Sequence, residues 1–177
     1  MKALILNGSP RKSGNTAYAC GILSEALRGE YDVQIAETAS MRIGGCLNCD
    51  ACRENGGICI QQDDGCALAE RIAEADLLVF ATPVYWWGMS AQLKLAIDRM
   101  YAKGDAMTRK RKKTYVVAIG ADPVDEEQYT LIGRQFALIC EYLKWDFSGI
   151  CTFSALEADA LSKQAGAKDA LCGMLKG

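Results

Sequence analysis

The chain has 177 residues, half of them hydrophobic, and a formal net charge of −2. This length predicts one domain with a substantial core. The net charge lacks the positive excess that is typical of a nucleic-acid-binding protein. Histidine is absent, which excludes mechanisms with an imidazole base and metal sites with histidine ligands. A bound redox cofactor that carries its own chemistry is compatible with this composition.

The N-terminal apolar run is too short for a secretory signal, and no apolar run approaches the length that spans a bilayer. The chain contains nine cysteines. In a chain without a signal sequence they indicate thiols, metal ligands or redox chemistry in preference to a disulfide framework. We therefore expect a cytoplasmic protein with no membrane and no nucleic-acid partner.

Strand-like apolar runs alternate with helical segments along the whole chain. Strands are predicted at residues 3–7, 33–38, 77–82, 115–120 and 147–153, and helices at 16–27, 65–75, 90–101, 126–143 and 155–175. This alternation predicts an α/β fold, a flavodoxin-like doubly wound five-stranded parallel sheet in the order 2-1-3-4-5 with helices on both faces. Ligands of such a sheet lie outside the carboxyl ends of the strands, so the loops after the first, third and fourth strands should meet there.

The first strand leads into Gly-Ser-Pro-Arg-Lys-Ser-Gly-Asn-Thr at residues 8–16 and then into a helix. Backbone N–H groups and the helix dipole favour an anion at such a junction. The segment lacks the spacing of the nucleoside-triphosphate loop and the GxGxxG fingerprint. A single terminal phosphate held by hydroxyl groups fits best, with an ordinary polar turn as the alternative. The candidate contacts are Ser9, Arg11, Ser13, Asn15 and Thr16.

A second segment, Thr-Pro-Val-Tyr-Trp-Trp-Gly-Met-Ser at residues 82–90, follows the third strand. Three adjacent aromatic side chains at the end of a parallel strand are costly to expose without a partner. A flat aromatic ligand explains them, and a core or interface patch is the alternative.

Together, residues 8–16, residues 83–90 and the helix ending Lys-Leu-Ala-Ile-Asp-Arg at 94–99 resemble the NADPH-dependent FMN reductase superfamily. The resemblance is to its iron-sulfur flavoprotein and multimeric flavodoxin branch, and it is strong over residues 1–120. It implies that FMN is the bound ligand. It also implies that the residues just named in the first loop hold the FMN phosphate. The isoalloxazine ring would be bordered by Pro83, Val84, Tyr85, Trp86, Trp87 and Gly88, with Gly120 approaching from a third loop.

A cysteine-rich loop at about residues 44–60 separates the second strand from the next helix. Cys46, Cys49, Cys52 and Cys59 have the spacing CxxCxxCx6C, and closely spaced thiolates suit an iron-sulfur cluster better than tetrahedral zinc. Resemblance to the iron-sulfur flavoproteins implies that these four are ligands of a [4Fe-4S] cluster. A loop of reduced thiols beside the flavin is an equal alternative. Cys20, Cys66, Cys140, Cys151 and Cys172 are predicted to be small packing residues.

A basic run, Arg-Lys-Arg-Lys-Lys at residues 109–113, precedes the fourth strand. It is predicted to be a solvated surface segment, with binding of the extra NADPH phosphate as the less favoured alternative.

These features predict a flavin-dependent oxidoreductase in which FMN passes electrons from NAD(P)H to a small acceptor such as a quinone or a flavin. No catalytic side chain is required. One alternative is an electron carrier with FMN and a [4Fe-4S] cluster that takes electrons from ferredoxin. A second is a non-enzymatic flavin-based redox sensor. The exposed aromatic residues predict a homodimer or homotetramer.

Overall fold

A parallel β-sheet forms the centre of the computed structural model, which describes residues 1–176. The strands are β1 (Lys2–Asn7), β2 (Asp32–Glu37), β3 (Leu77–Tyr85), β4 (Gly88–Met89), β5 (Lys113–Gly120) and β6 (Asp146–Ser154). The five long strands are parallel and lie in the order β2-β1-β3-β5-β6, while the short β4 pairs antiparallel with the end of β3. The predicted flavodoxin-like order 2-1-3-4-5 is therefore confirmed.

The three central strands are almost continuously apolar because both of their faces are covered. The last five residues of β1, the first six of β3 and the last seven of β5 are all buried. Their register places Ile5 beside Val79, and Val79 beside Tyr115. This core fixes the carboxyl ends of three adjacent strands at one edge of the sheet.

Helices cover both faces of the sheet. They are α1 (Asn15–Leu27), α2 (Ala51–Glu54), α3 (Asp64–Glu74), α4 (Ala91–Arg99), α5 (Gly104–Thr108), α6 (Glu127–Leu143), α7 (Ala160–Lys163) and α8 (Ala167–Met174). One face carries α1, α7 and α8, whose apolar residues include Leu23, Leu161 and Leu171. The other face carries α3 to α6, with Ile72, Leu93 and Phe136 in its core. Among residues 1–176, no helix has the length and apolarity needed to cross a membrane.

The prediction of one helix over residues 155–175 is wrong. Residues 155–159 form a loop, and the segment after it is divided into α7 and α8. Gly166 adopts a φ of +79°, a left-handed conformation that a continuous helix does not contain. The loop is fixed by Asn15, whose amide donates to the carbonyl oxygens of Ala155 and Glu157.

The basic run is exposed at Arg109, Arg111 and Lys113, as predicted, but Lys112 within it is buried. The run lies at the amino end of β5, opposite the edge that carries the loops after the strands, and Arg111 pairs with Asp146. Lys112 is only 1% exposed, and its Nζ donates to the carbonyl oxygens of Ala73 and Ala75 at 2.6 and 2.8 Å. Lys112 therefore caps the carboxyl end of α3, and both interpretations of the run, as solvated surface or as an NADPH site, miss this role.

Replacing Lys112 by methionine is expected to lower the free energy of unfolding by about 2–3 kcal/mol, because two buried carbonyl groups lose their donor. Burial lowers the pKa of Lys112 to about 8, below the value of an unfolded lysine. The folded state thus binds fewer protons, so wild-type stability should rise relative to the variant as the pH increases from about 8 to about 10.4. Urea unfolding across this range measures both effects. Lys113→Met, at an exposed neighbour, should change stability by less than about 0.5 kcal/mol.

Candidate flavin site and cysteine loop

The loops after β1, β3 and β5 come together at one edge of the sheet. The Gly8 amide donates to the carbonyl oxygen of Ala81 at 2.8 Å, and the Ser90 hydroxyl donates to the carbonyl oxygen of Gly8 at 2.7 Å. Residues 8–16, which we call the phosphate loop, are thereby joined to the segment that follows β3. The prediction that these loops meet is confirmed.

Buried polar bonds fix the conformation of the phosphate loop. Asn7 has no exposed surface. Its amide donates to a Glu37 carboxylate oxygen at 2.7 Å, and its Oδ1 accepts the backbone N–H of Ser9 at 3.0 Å. Ser9 Oγ in turn accepts the backbone N–H of Arg11 at 3.2 Å. The loop is therefore held by side-chain to backbone bonds that need no ligand.

The start of α1 has the features of an anion site. Its N-cap is Gly14, and in the part of the chain that the structure describes no side chain caps the helix and its first turn has no acidic residue. Ser9 and Thr16 are buried, whereas Arg11, Lys12 and Ser13 are exposed beside the helix end. Free amide donors, hydroxyl groups and cations at one helix N-terminus fit the phosphate of FMN.

Asn15 is placed differently from the other predicted phosphate contacts. Its amide nitrogen bonds the two carbonyl oxygens of the 155–159 loop, and its Oδ1 accepts the backbone N–H of Leu161 at 3.0 Å. The side chain therefore joins the phosphate loop to the segment after β6. These bonds alone explain why asparagine is suited to this position, and they involve no contact with a ligand.

Residues 83–88 form the end of a β-hairpin, which we call the aromatic hairpin. Tyr85 pairs with Gly88, and Trp86 and Trp87 make the two-residue turn with φ values of +47° and +60°. This is the type I′ geometry, which favours asparagine and glycine and is strained for tryptophan. Trp86 is 90% and Trp87 63% exposed. Two large rings are thus held in solvent at a conformational cost.

The base of the aromatic hairpin is fixed by one buried threonine. Thr82 Oγ1 accepts the backbone N–H of Ser90 at 2.9 Å and donates to the carbonyl oxygen of Pro83 at 2.8 Å. Behind the hairpin, a Cβ at Gly120 would lie 3.2 Å from Val84 Cβ and 2.6 Å from Tyr129 Oη. Gly120 therefore allows β5 to approach the hairpin closely, and Pro83 and Val84 are only half-buried above it.

The four candidate metal ligands surround one cavity. Cys46 and Cys49 are exposed, Cys52 and Cys59 are half-buried, and all four line one open cavity together with Arg99 and other residues. Four thiols around one space suit the donor chemistry of an iron-sulfur cluster. Within the described residues, however, no three cysteine or carboxylate side chains are close enough to bind one metal ion.

The cysteine loop, defined here as residues 44–61, is docked on the segment after α4. The Tyr101 hydroxyl donates to Asp50 at 2.8 Å, and the Arg53 guanidinium lies 5.5 Å from the centre of the Tyr101 ring. Gly57 has a φ of +82°, and a Cβ there would lie 2.7 Å from the carbonyl oxygen of Ala102. The loop thus has a defined conformation around its cavity.

The other five cysteines are not all packing residues. Cys20 and Cys140 are buried in the two cores, as predicted, and burial raises the pKa of the Cys140 thiol to about 11. Cys151 and Cys172 are half-buried. Cys66 contacts the guanidinium of Arg99 at 3.6 Å and the carbonyl oxygen of Gln61 at 3.0 Å, so the prediction that it only fills space is wrong.

Sequence reasoning missed the polar residues that hold these loops, namely Asn7, Asp63, Ser90 and Arg99. Arg99 is 2% exposed and bonds Asp63 at 2.7 Å. Burial opposes ionisation of Asp63, but hydrogen bonds from Arg99 and from the Gly44 amide outweigh it and lower the pKa of the carboxyl. A charged residue at the end of an amphipathic helix gives no sequence signal that its side chain turns inward.

The family model described as NADPH-dependent FMN reductase matches residues 1–131. An iron-sulfur flavoprotein of Archaeoglobus fulgidus is 36% identical over 113 residues, covering 63% of this chain and 51% of that protein. The chain thus spans about half the length of this relative. YwqN of Bacillus subtilis, provisionally named an NAD(P)H-dependent FMN-containing oxidoreductase, is 32% identical over 159 residues, covering 84% and 82% of the two chains.

The fold is shared with the NAD(P)H:quinone oxidoreductase from Methanothermobacter marburgensis, with a TM-score of 0.68 and 15% identity. That comparison covers 99% of this chain and 96% of the other. The match over residues 1–131 contains both the phosphate loop and the aromatic hairpin. The chain therefore belongs to the NADPH-dependent FMN reductase family of flavin-dependent oxidoreductases.

Proposed function

We propose that the protein is a single FMN-binding domain that passes electrons from NAD(P)H to a small acceptor such as a quinone or a flavin. The observation that carries this proposal is the direct bond between the two loops, from the Ser90 hydroxyl to the Gly8 carbonyl. This bond joins the loop before α1 to the segment that carries Trp86 and Trp87. It supports the proposal that one site takes both ends of FMN.

Each part of the site has a different role in this proposal. The N-terminus of α1, with Ser9, Thr16 and Arg11, holds the phosphate through charge-assisted hydrogen bonds. The aromatic hairpin borders the ring system, and Trp86 and Trp87 frame the place where a flat acceptor stacks. FMN, when bound, supplies the hydride and electron chemistry. The side chains position the reactants, and none is required to transfer a proton.

Steady-state oxidation of NADH and NADPH by the FMN-loaded protein, with a benzoquinone as acceptor, tests this function. We expect oxidation that depends on both FMN and the quinone. Absence of oxidation with either nicotinamide, combined with reduction of the bound flavin by ferredoxin, would instead support the electron carrier.

That second function, an FMN and [4Fe-4S] electron carrier with ferredoxin as donor, is favoured by two observations. Four cysteines line the same cavity, and several relatives are named iron-sulfur flavoproteins. Cysteine thiolates are the usual ligands of such clusters. Protein purified without air should then show a broad absorbance shoulder together with stoichiometric iron and sulfide. Flavin bands alone would reject the cluster.

We also propose that the protein forms a homodimer or homotetramer. The extreme exposure of Trp86 on a strained turn supports a partner surface there, since large apolar side chains are costly to leave in water. Light scattering at micromolar concentration should give at least twice the monomer mass, and a monomer alone would reject the proposal.

A further inference from the structure

One buried ion pair joins the two ends of the cysteine loop. The distance from Arg99 Nη1 to Asp63 Oδ2 is 2.7 Å, and the two side chains are only 2% and 10% exposed. Asp63 also accepts the backbone N–H groups of Gly44 at 2.8 Å and Gly65 at 3.0 Å. The carboxylate therefore binds the beginning of the loop and the start of α3 together.

The guanidinium of Arg99 makes the matching bonds from the other side. It donates to the carbonyl oxygen of Gly44 at 3.1 Å and to that of Gln61 at 3.2 Å. Gly44 is the first residue of the loop and Gln61 is the last. A planar fork of donors can hold two carbonyl groups and a carboxylate at once, which the single nitrogen of lysine cannot do with the same geometry.

The same guanidinium faces sulfur as well as oxygen. Arg99 Nη2 lies 3.6 Å from Cys66 Sγ, and Arg99 lines the cavity that the four cysteines surround. A neighbouring cavity is lined by Cys59, Cys66 and Arg99 together. The ion pair therefore borders the cavity that the four cysteines line, and Cys66 is a fifth thiol next to Arg99.

We propose that Arg99 is the positioning residue of the cysteine loop. Its guanidinium, paired with Asp63, holds Gly44 and Gln61, the two ends of the loop, close together. Arg99 also keeps Cys59 and Cys66 next to its guanidinium. These contacts lie entirely within the chain. The proposal therefore holds whether or not the loop carries a cluster, and it does not rest on the flavin chemistry proposed above.

Residue-resolved alkylation tests this proposal. Metal-free protein, prepared with a chelator under reducing conditions, is treated with iodoacetamide, and the modification rate of each cysteine is read from peptide masses. In Arg99→Gln, Cys59 and Cys66 should react about tenfold faster than in the wild type, because the two ends of the cysteine loop separate in local unfolding events. Cys20 and Cys140, in the two cores, react only through global unfolding, so their rates should rise by less than those of Cys59 and Cys66.

Arg134→Gln is the matched control, because Arg134 is an exposed arginine on α6, outside the cysteine loop. It should leave the rates of Cys59 and Cys66 within about twofold of the wild type. Unchanged rates at Cys59 and Cys66 in Arg99→Gln would overturn the proposal. Equal acceleration of all cysteines would also overturn it, since the pair would then stabilise the whole fold and not the loop.

A double variant separates positioning from stability. Asp63→Asn combined with Arg99→Gln leaves no uncompensated buried charge, so its melting temperature should recover relative to Arg99→Gln alone. The alkylation rates of Cys59 and Cys66 should nevertheless stay high, because the guanidinium of Arg99 is still missing. Recovery of their protection together with stability would show that Arg99 has only a structural role and would refute the proposal.

Discussion

Protein with alanine in place of Gly8 is expected to bind FMN about a hundredfold more weakly than the wild type. A Cβ at this position would lie 2.8 Å from Ser90 Oγ, 2.9 Å from Leu93 Cβ and 3.0 Å from the carbonyl oxygen of Ala81. All three neighbours are buried, so none can move freely. Relief of the overlap would break the bond between Ser90 and Gly8 that joins the two loops. Fluorescence titration of FMN measures the loss.

Gly21→Ala is the control for this change. It places the same methyl group in α1, where, apart from the adjoining turns of the helix, no atom of residues 1–176 lies within 4 Å of the new Cβ. FMN affinity should be unchanged, and stability should rise by about 0.5–1 kcal/mol because alanine favours the helix. Wild-type FMN affinity in Gly8→Ala would show that contact between the loops does not shape the site.

A second large effect is expected at the turn of the aromatic hairpin. Changing Trp86 to Asn and Trp87 to Gly supplies the residue pair that a type I′ turn prefers. The free energy of unfolding of the isolated subunit should increase by about 1–2 kcal/mol, since two strained residues are replaced. In contrast, kcat/KM for a benzoquinone should fall by at least about tenfold, because the rings that frame the acceptor are lost.

Opposite effects on stability and turnover would identify the tryptophans as functional. Tyr142→Ala serves as the control, because Tyr142 is an aromatic residue 81% exposed on α6 and outside the site. Its turnover should match the wild type. Unchanged kcat/KM in the hairpin variant would exclude the rings from acceptor binding, and a loss of stability would show that they are needed for folding.

The elements that position the flavin site were predictable from local sequence. A buried apolar run, a polar loop with glycines and an apolar-periodic segment identify β1, the phosphate loop and α1, because each signal lies within a few residues. The order of the strands followed from the alternation of strands and helices. Both features depend on short-range pattern and not on distant contacts.

The contacts that hold the site together could not be predicted in this way. Asn15 resembles a phosphate ligand in sequence, yet its partners lie 140 or more residues further along the chain. Arg99 resembles a surface residue of an amphipathic helix, yet it binds Asp63, 36 positions before it. The turn at Trp86 and Trp87 has no Asn-Gly signal, because its backbone conformation opposes the preference of its residues. The hydrophobic pattern of a sequence reports neither contacts between distant residues nor strain in the backbone.

We propose that the phosphate loop holds the phosphate of FMN. Riboflavin has the same ring system without the phosphate, so comparing the dissociation constants of the two flavins tests this claim most directly. Charge-assisted bonds at the N-terminus of α1 predict that FMN binds at least about a hundredfold more tightly than riboflavin. Equal affinity for the two flavins would contradict the account.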